Sequence, residues 1–276
     1  MKSKLVIVEG LPGSGKTTWA SSIHNLLRER GLPAQLYPEG DPRHPADYEA
    51  TAWMPRRTFR QIRSQYPDHQ EILNRFALPS GNHIILPYGQ LSREMGKSCP
   101  EELVQKLASH DIYEIPLERH MSLVTERWRQ FTQTPRRHPL IFECCLIQNP
   151  VTVTMLRDNA PKQRIIDYVL TLCEIIRPLD PVILYLDPSD LEERFRRVFE
   201  ERPERWQRMF VSYCTQRGYG KAMGLEGLEG TLEVMLKRRE LELEILPLTG
   251  LAYEIIDNTL LDEKDRTLRI DRILNL

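Results

Sequence analysis

The sequence predicts an α/β fold built on a central parallel sheet. Five short apolar runs have the length and composition of buried strands, and amphipathic helical patterns lie between them. A glycine-rich segment, residues 10–17, joins the first run to the first helical pattern. Strands that alternate with helices in this way are typical of a sheet whose strands run parallel.

The predicted strands and helices follow one another along the chain. The strands are Lys4–Glu9, Ala34–Pro38, Pro139–Cys144, Pro181–Asp187 and Leu251–Asp257. The helices beside them are Thr17–Glu29, Gln163–Ile176, Leu191–Glu200 and Gly230–Leu246. The first helix places Trp19, Ile23 and Leu27 on one apolar face, and Gly31 is a typical stop signal after it.

A long segment separates the second predicted strand from the third. Its length of about 100 residues is too great for a simple connection. We therefore predict a helical, substrate-side insert over residues 40–137, with helices at Asp68–Leu78 and Leu117–Gln133 and a short apolar run at His83–Tyr88. No linker separates this insert, so residues 1–276 are expected to form a single domain.

Composition narrows the classes of function. The 276 residues are 41% apolar and 28% charged, which is ordinary for a globular protein with a sizeable core. The net charge of −1 provides no global field for nucleic acid or anionic membrane, and no apolar stretch is long enough to span a bilayer. Five cysteines without metal-ligand spacing indicate free thiols, from which we predict a cytoplasmic protein.

The strongest motif is the segment that follows the first strand. Residues 10–17 match G-x-x-x-x-G-K-[ST] in full, and the motif's residues are Gly10, Leu11, Pro12, Gly13, Ser14, Gly15, Lys16 and Thr17. Glycines let consecutive N–H groups converge on a phosphate at a helix N-terminus. Lys16 can reach the β- and γ-phosphates, and the Thr17 hydroxyl can bind Mg²⁺.

The motif predicts that the chain binds ATP and Mg²⁺. Ser14 and Thr18 are expected to make further phosphate contacts. The sequence contains neither the N/T-K-x-D base-reading motif of GTPases nor the L-S-G-G-Q signature of ABC proteins. Both absences favour a kinase over those two classes, although the motif alone does not separate ATP from GTP.

At these residues the sequence resembles the P-loop nucleoside and nucleotide kinases, in particular the thymidylate and deoxynucleoside kinases. The P-loop and its helix match well, and the Val182–Asp187 run before an arginine-rich stretch matches by pattern. About a third of the chain carries the resemblance. It implies a five-stranded parallel sheet of order 2-3-1-4-5, a mobile lid over residues 188–225, and dimerisation through helices that flank the sheet.

The resemblance also implies a catalytic carboxylate after the second strand. In the deoxynucleoside kinases an acidic residue there acts as base on the acceptor hydroxyl, and Glu39 and Asp41 occupy that place here. Independently of the family, ligands bind at the carboxyl edge of a parallel sheet, where a carboxylate can take a proton. The alternative is that both residues simply form a turn beside Gly40 and Pro42.

A second carboxylate ends the third predicted strand. The thymidylate kinases have Asp-Arg at this point, whereas this chain has Glu143 followed by Cys144 and Cys145, without the arginine. Glu143 could hold Mg²⁺ through a water molecule or orient a substrate hydroxyl. Gln148 and Asn149 follow at the same edge and could contact substrate.

Arginines dominate the predicted lid. In kinases of this group lid arginines neutralise the transferring phosphoryl group, and we select Arg194, Arg197 and Arg202 for this role. The alternative is a solvated face of ion pairs, because Glu204 and Arg208 are one of several acid–arginine pairs spaced four residues apart.

The sequence therefore predicts an ATP-dependent kinase that acts on a nucleoside, a nucleotide or another small acceptor. Two alternatives stay open. A local basic run at Arg56, Arg57, Arg60 and Arg63 would suit a nucleic-acid end kinase, although the net charge argues against nucleic acid. A non-catalytic regulatory NTP-binding protein would also carry a P-loop.

Overall fold

A computed structural model describes residues 4–275 and divides into two compact units. Unit 1 comprises residues up to Glu39 and from Trp128 onward, and unit 2 comprises Gly40–Arg127. Unit 2 begins where the predicted insert begins, whereas residues 128–137 of that insert belong to unit 1. Within residues 4–275, every helix is too short or too polar to cross a lipid bilayer.

Eight strands and thirteen α-helices alternate over the described residues. The strands are β1 (Leu5–Gly10), β2 (Gln35–Tyr37), β3 (Ala52–Pro55), β4 (Leu78–Ser80), β5 (His83–Leu86), β6 (Leu140–Glu143), β7 (Val182–Leu186) and β8 (Ala252–Ile256). The helices are α1 (Lys16–Glu29), α2 (Arg56–Gln65), α3 (Gln70–Phe76), α4 (Tyr88–Met95), α5 (Glu101–Ala108), α6 (Leu117–Gln133), α7 (Gln148–Val151), α8 (Lys162–Ile176), α9 (Leu191–Glu200), α10 (Glu204–Thr215), α11 (Gly218–Ala222), α12 (Gly227–Ile245) and α13 (Glu263–Leu274).

Unit 1 is built on a five-stranded parallel sheet in the order β2-β6-β1-β7-β8. Counted along the chain over these five strands alone, the order is 2-3-1-4-5, which confirms the predicted fold. Each predicted strand lies within one residue of the observed strand at both ends. Because β1 lies between β6 and β7, the loop after it faces the carboxyl ends of both neighbours.

Both faces of the central sheet are covered. All six residues of β1 are buried, as expected for a parallel strand between two helical layers. Trp19, Ile23 and Leu27 of α1 pack into the core on one side, as predicted. The Trp128 and Phe142 rings lie 6.0 Å apart, so Trp128 is a core residue of unit 1.

Unit 2 contains a three-stranded antiparallel sheet, β3-β5-β4, in addition to helices. The predicted insert was described as helical, and that description omits this sheet. Ala52 and Met54 of β3 and Ile84 and Leu86 of β5 are buried at alternate positions. Strands of three or four residues show too few alternations to stand out in a sequence.

The segment that would form the lid is helical in unit 1. Residues Gly218–Ala222 of this segment form α11, which packs closely. A Cβ atom at Gly220 would lie 2.0 Å from the Cys214 carbonyl oxygen, so only glycine permits this approach. Movement of residues 188–225 stays a prediction.

Candidate active site

The P-loop connects β1 to α1 in unit 1 and needs glycine for two reasons. Gly10 has φ +137°, and a Cβ atom there would lie 2.5 Å from the Leu186 carbonyl oxygen. Gly15 has φ +93°, a left-handed conformation that side chains disfavour, and lies against the Asn258 amide. Glycine therefore permits both the turn and the close approach of β7 and the loop after β8.

The loop carries one cation and one buried hydroxyl. The Lys16 side chain is 5% exposed, and its Nζ donates to the Leu11 carbonyl oxygen at 3.1 Å. The Ser14 Oγ is buried, and no hydrogen-bond partner for it exists among residues 4–275. The Asn258 amide donates to the Ser14 carbonyl oxygen at 2.9 Å and so holds the loop from outside.

A cavity of about 470 Å³ opens over the P-loop. Its lining combines P-loop residues, two carboxylates and part of the predicted lid: Pro12, Gly13, Gly15, Lys16, Thr17, Thr18, Glu39, Glu143, Val198, Arg202, Trp206 and Phe210. The P-loop, both strand-end glutamates of unit 1 and one selected arginine therefore share one cavity.

Four polar side chains beside the P-loop form a connected set. The Thr17 hydroxyl donates to Glu143 Oε1 at 2.7 Å, and the Glu39 backbone N–H donates to Glu143 Oε2 at 3.3 Å. The Gln148 side-chain amide donates to Glu39 Oε1 at 3.1 Å. Because β2 and β6 are neighbours, their carboxyl ends bring Glu39 and Glu143 together.

Thr17 and Glu143 suit Mg²⁺ as partners. Mg²⁺ keeps several waters and takes few protein ligands, and the Thr17 hydroxyl with the Glu143 carboxylate offers the oxygen donors it prefers. Among the described residues, no group of three or more His, Cys, Asp and Glu side chains could hold a metal ion. This donor set therefore fits a nucleotide-bound Mg²⁺ and does not resemble a closed structural metal site.

Glu9 is a buried carboxylate directly before the P-loop, and its side chain is 0% exposed. Its oxygens accept hydrogen bonds from the backbone N–H groups of Leu146 and Ile147 at 2.9 Å each and of Gln148 at 3.0 Å. Burial raises the pKa of Glu9 to about 7, and the nearby Glu242 carboxylate adds to this effect, whereas the three N–H groups oppose it.

The raised pKa of Glu9 predicts a pH-dependent stability. The protonated carboxyl is favoured in the folded state, so its stabilising contribution is full below pH 4.5 and is lost as the pH rises through about 7. Between pH 5.5 and pH 8 we expect the free energy of unfolding to fall by about 2 kcal/mol through this group.

Urea unfolding of wild type and Glu9→Gln at both pH values measures this contribution. Because all other groups titrate equally in both proteins, the difference between them isolates Glu9. A difference that is the same at both pH values contradicts the prediction.

The three selected arginines have different surroundings in unit 1. Arg194 pairs with Asp190 through Nε at 2.6 Å and lies near the backbone oxygens of Asn258 and Thr259, beside the P-loop. Arg197 lines a second cavity together with Gly13 and Arg194. Arg202 lines the P-loop cavity itself. All three therefore lie on the P-loop side of the unit.

The predicted alternative, a solvated face of ion pairs, describes other arginines of residues 188–225. Arg208 pairs with Glu204 on the exposed face of α10, at the predicted spacing. Arg196 makes two hydrogen bonds of 2.7 Å each to Glu229 of α12. These exposed pairs lie on the outer surfaces of α9 and α10 and are expected to contribute little to stability.

Trp206 and Phe210 were missed by sequence reasoning. They lie one turn apart on α10, with ring centroids 4.8 Å apart and 10° between the planes. The Arg202 guanidinium lies 5.4 Å from the Trp206 ring centroid. The spacing of four residues was visible in the sequence, but it is equally typical of a helix face that packs on the core.

Asp41, the alternative base, belongs to unit 2 and is held by two arginines. Arg43 donates to both of its oxygens at 3.0 and 2.6 Å, and Arg93 lies 3.3 Å away. The hydrogen bonds from Arg43 lower the pKa of Asp41 to about 2. A carboxylate that is engaged in this way is a poor acceptor for a substrate proton.

The basic run of unit 2 lies on α2. Arg56, Arg57 and Arg60 are exposed, whereas Phe59 and Ile62 are buried, so the helix presents a basic outer face. Arg56 donates to the Gly81 carbonyl oxygen at 3.1 Å.

Solved structures of known proteins include chains that are similar to this one. The solved structure of the thymidylate kinase from Candida albicans covers 99% of this chain and 91% of its own at 14% sequence identity, with a TM-score of 0.46. Neither the profiles of known protein families nor the curated protein sequences give a match. The fold assignment made above depends on the strand order and the P-loop of this chain itself.

Proposed function

We propose that this chain is an ATP- and Mg²⁺-dependent kinase that transfers the γ-phosphoryl group to a hydroxyl of a small-molecule acceptor. The observation that carries this proposal is the shared cavity of Lys16, Thr17, Glu143 and Glu39. The P-loop, the Thr17–Glu143 pair and the exposed Glu39 carboxylate line one cavity of about 470 Å³, which supports this proposal.

The P-loop side of this cavity would hold the nucleotide. The backbone of the loop, the Ser14 hydroxyl and Lys16 bind the phosphates, and Lys16 leaves the Leu11 carbonyl to do so. Thr17 would hold Mg²⁺ directly, and Glu143 would hold it through a water molecule. When bound, Mg²⁺ neutralises charge that develops between the β- and γ-phosphates.

Glu39 would act on the acceptor. Its carboxylate is exposed at the end of β2, and the Gln148 amide holds one of its oxygens. It can therefore orient an acceptor hydroxyl and take its proton as the O–P bond forms. The leaving oxygen remains on ADP.

A hydroxyl suits this site better than a phosphate as acceptor. Two glutamates face the cavity, and Cys144 and Cys145 follow β6 where an arginine would serve an acceptor phosphate. This set favours an alcohol as the acceptor.

The arginines of α9 and the following turn would stabilise the transferring group. Arg202 lines the cavity beside Lys16, and Arg197 borders the P-loop at Gly13. A guanidinium close to the γ-phosphate would neutralise equatorial oxygen charge in the transition state.

Replacement of Glu143 with glutamine should raise the Mg²⁺ concentration needed for half-maximal activity by about tenfold. The amide removes the negative charge that holds a metal-bound water but keeps the side chain's size. A Mg²⁺ titration of activity measures the change, with Glu29→Gln on the exposed end of α1 as control. An unchanged Mg²⁺ requirement would place the metal elsewhere.

Coupled ADP release with MgATP tests the proposed function. The acceptor panel holds nucleosides, sugars, hydroxylated antibiotics, nucleoside monophosphates and 5′-hydroxyl oligonucleotides. We expect an alcohol to raise ADP release. Stimulation by oligonucleotides alone would favour the end-kinase alternative, for which α2 offers a basic face. Tight ATP binding without stimulation by any acceptor would favour the regulatory alternative.

A further inference from the structure

The buried Glu9 carboxylate plays no direct part in the reaction proposed above. It is the penultimate residue of β1 and accepts three consecutive backbone N–H groups, those of residues 146–148. Burying a carboxylate is costly, and these three charge-assisted hydrogen bonds offset part of that cost. A side chain held in this way fixes the backbone that it contacts.

The backbone that Glu9 fixes is the turn that follows β6. Cys144 begins this turn with φ +56°, a left-handed conformation that residues other than glycine rarely adopt. Its N–H donates to the Val8 carbonyl oxygen at 3.0 Å, and its carbonyl oxygen accepts from Asn149 N–H at 3.1 Å. The chain therefore reverses directly after Glu143, and Glu9 holds the far side of the reversal.

The far side of that turn carries Gln148. Its backbone N–H is bound to Glu9 Oε2, its side chain is 5% exposed, and its amide nitrogen donates to Glu39. Glu39 is exposed, and within residues 4–275 the hydrogen bonds found between it and this part of the chain are this one and the one that its own N–H donates to Glu143. The orientation of the Glu39 carboxylate thus depends on Gln148, and that of Gln148 depends on Glu9.

We infer that Glu9 is a positioning residue for phosphoryl transfer, which fixes Gln148 and, through it, the Glu39 carboxylate. The inference rests on the proposed function. Glu9 would contact neither ATP nor the acceptor, because its side chain is fully buried and both of its oxygens accept hydrogen bonds from backbone N–H groups. Its effect is on the geometry at the acceptor, where a displacement of about 1 Å can reduce the rate a hundredfold.

A buried charge cluster lies on the other side of Glu9 and supplies a matched control. Glu242 accepts from the Tyr185 hydroxyl at 2.7 Å and from Arg238 Nε at 2.6 Å. Tyr185→Phe removes one hydrogen bond from this cluster and leaves the bonds of Glu9 to the turn unchanged. It therefore reports the effect of disturbing the same part of the core without releasing Gln148.

The experiment compares wild type, Glu9→Gln, Gln148→Met, the double variant and Tyr185→Phe. Glutamine at position 9 places an NH₂ donor against backbone N–H donors and releases the turn. We expect kcat to fall about ten- to hundredfold while KM for MgATP changes less than about threefold. Hydrogen exchange of the 146–148 amides should speed up about tenfold or more. Tyr185→Phe should change neither kcat nor the exchange of these amides.

The double variant decides whether Glu9 acts through Gln148. If it does, the double variant is no slower than the slower single variant, whereas independent effects would multiply. The inference would be overturned if the effects of the two single variants multiplied in the double variant. Wild-type kcat in Glu9→Gln, or a loss of kcat in Tyr185→Phe equal to that in Glu9→Gln, would also overturn it. If Glu9→Gln does not fold, wild-type kcat in Gln148→Met overturns it instead.

If the proposed function is wrong, the wild-type protein transfers phosphate to no acceptor. Hydrogen exchange alone then tests the contact of Glu9 with the turn. Unchanged exchange of the 146–148 amides in Glu9→Gln then contradicts the contact of Glu9 with the turn as well, whereas faster exchange supports that contact and leaves Glu9 without a role in phosphoryl transfer.

Discussion

Replacement of Lys16 with alanine should lower phosphoryl transfer by at least about a hundredfold. Lys16 is the cation of the P-loop, is 5% exposed and donates only to the Leu11 carbonyl among the hydrogen bonds found for it in the described residues. Its removal takes away the positive charge that meets the β- and γ-phosphates, and the short alanine side chain cannot replace it.

Single-turnover transfer from MgATP measures this effect, and Lys4→Ala is the matched control. Lys4 is an exposed lysine before β1, at the opposite edge of the sheet from the P-loop. Its replacement should leave the rate unchanged. If a folded Lys16→Ala protein transferred phosphate at the wild-type rate, the P-loop would take no part in the reaction.

Replacement of Glu39 with glutamine should lower kcat by about a hundredfold or more and leave MgATP affinity nearly unchanged. The glutamine keeps an oxygen that can accept from Gln148, so the side chain's position is largely retained while its basicity is lost. Glu39 follows β2 and lies outside the P-loop, so nucleotide contacts persist.

Asp41→Asn provides the comparison for Glu39→Gln. Asp41 pairs with Arg43 and Arg93 within unit 2, so its replacement should affect the stability of that unit more than kcat. A folded Asp41→Asn protein that loses more kcat than Glu39→Gln would reverse the assignment of the base.

The sheet and the P-loop were predictable because their signals are local. An apolar strand, a glycine-rich turn and an amphipathic helix occur within residues 4–29, and each is recognisable within its own window. The meeting of Glu39 and Glu143 in one cavity could be deduced from the strand order that the resemblance to the P-loop kinases implied. Both residues end neighbouring strands, so the 2-3-1-4-5 order was enough to bring them together.

The hydrogen bonds that link Glu9, Gln148 and Glu39 were not predictable, because they join segments that are distant in the sequence. Gln148 is 109 positions from Glu39, and Glu9 is 137–139 positions from the N–H groups it holds. In the sequence, Glu9 is recognisable only as a polar residue at the end of a predicted strand. Trp206 and Phe210 fit a core-packing helix as well as a site-facing one, so only tertiary structure places them at the cavity.

The most direct test of the central claim is single-turnover transfer of label from γ-³²P-ATP in the presence of a saturating alcohol acceptor. The proposed function predicts that the label appears on the acceptor hydroxyl as a phosphomonoester, at a rate that Lys16→Ala and Glu39→Gln both reduce. Label that appears only as inorganic phosphate, or that remains on ATP with every acceptor, would contradict the assignment of this chain as a kinase.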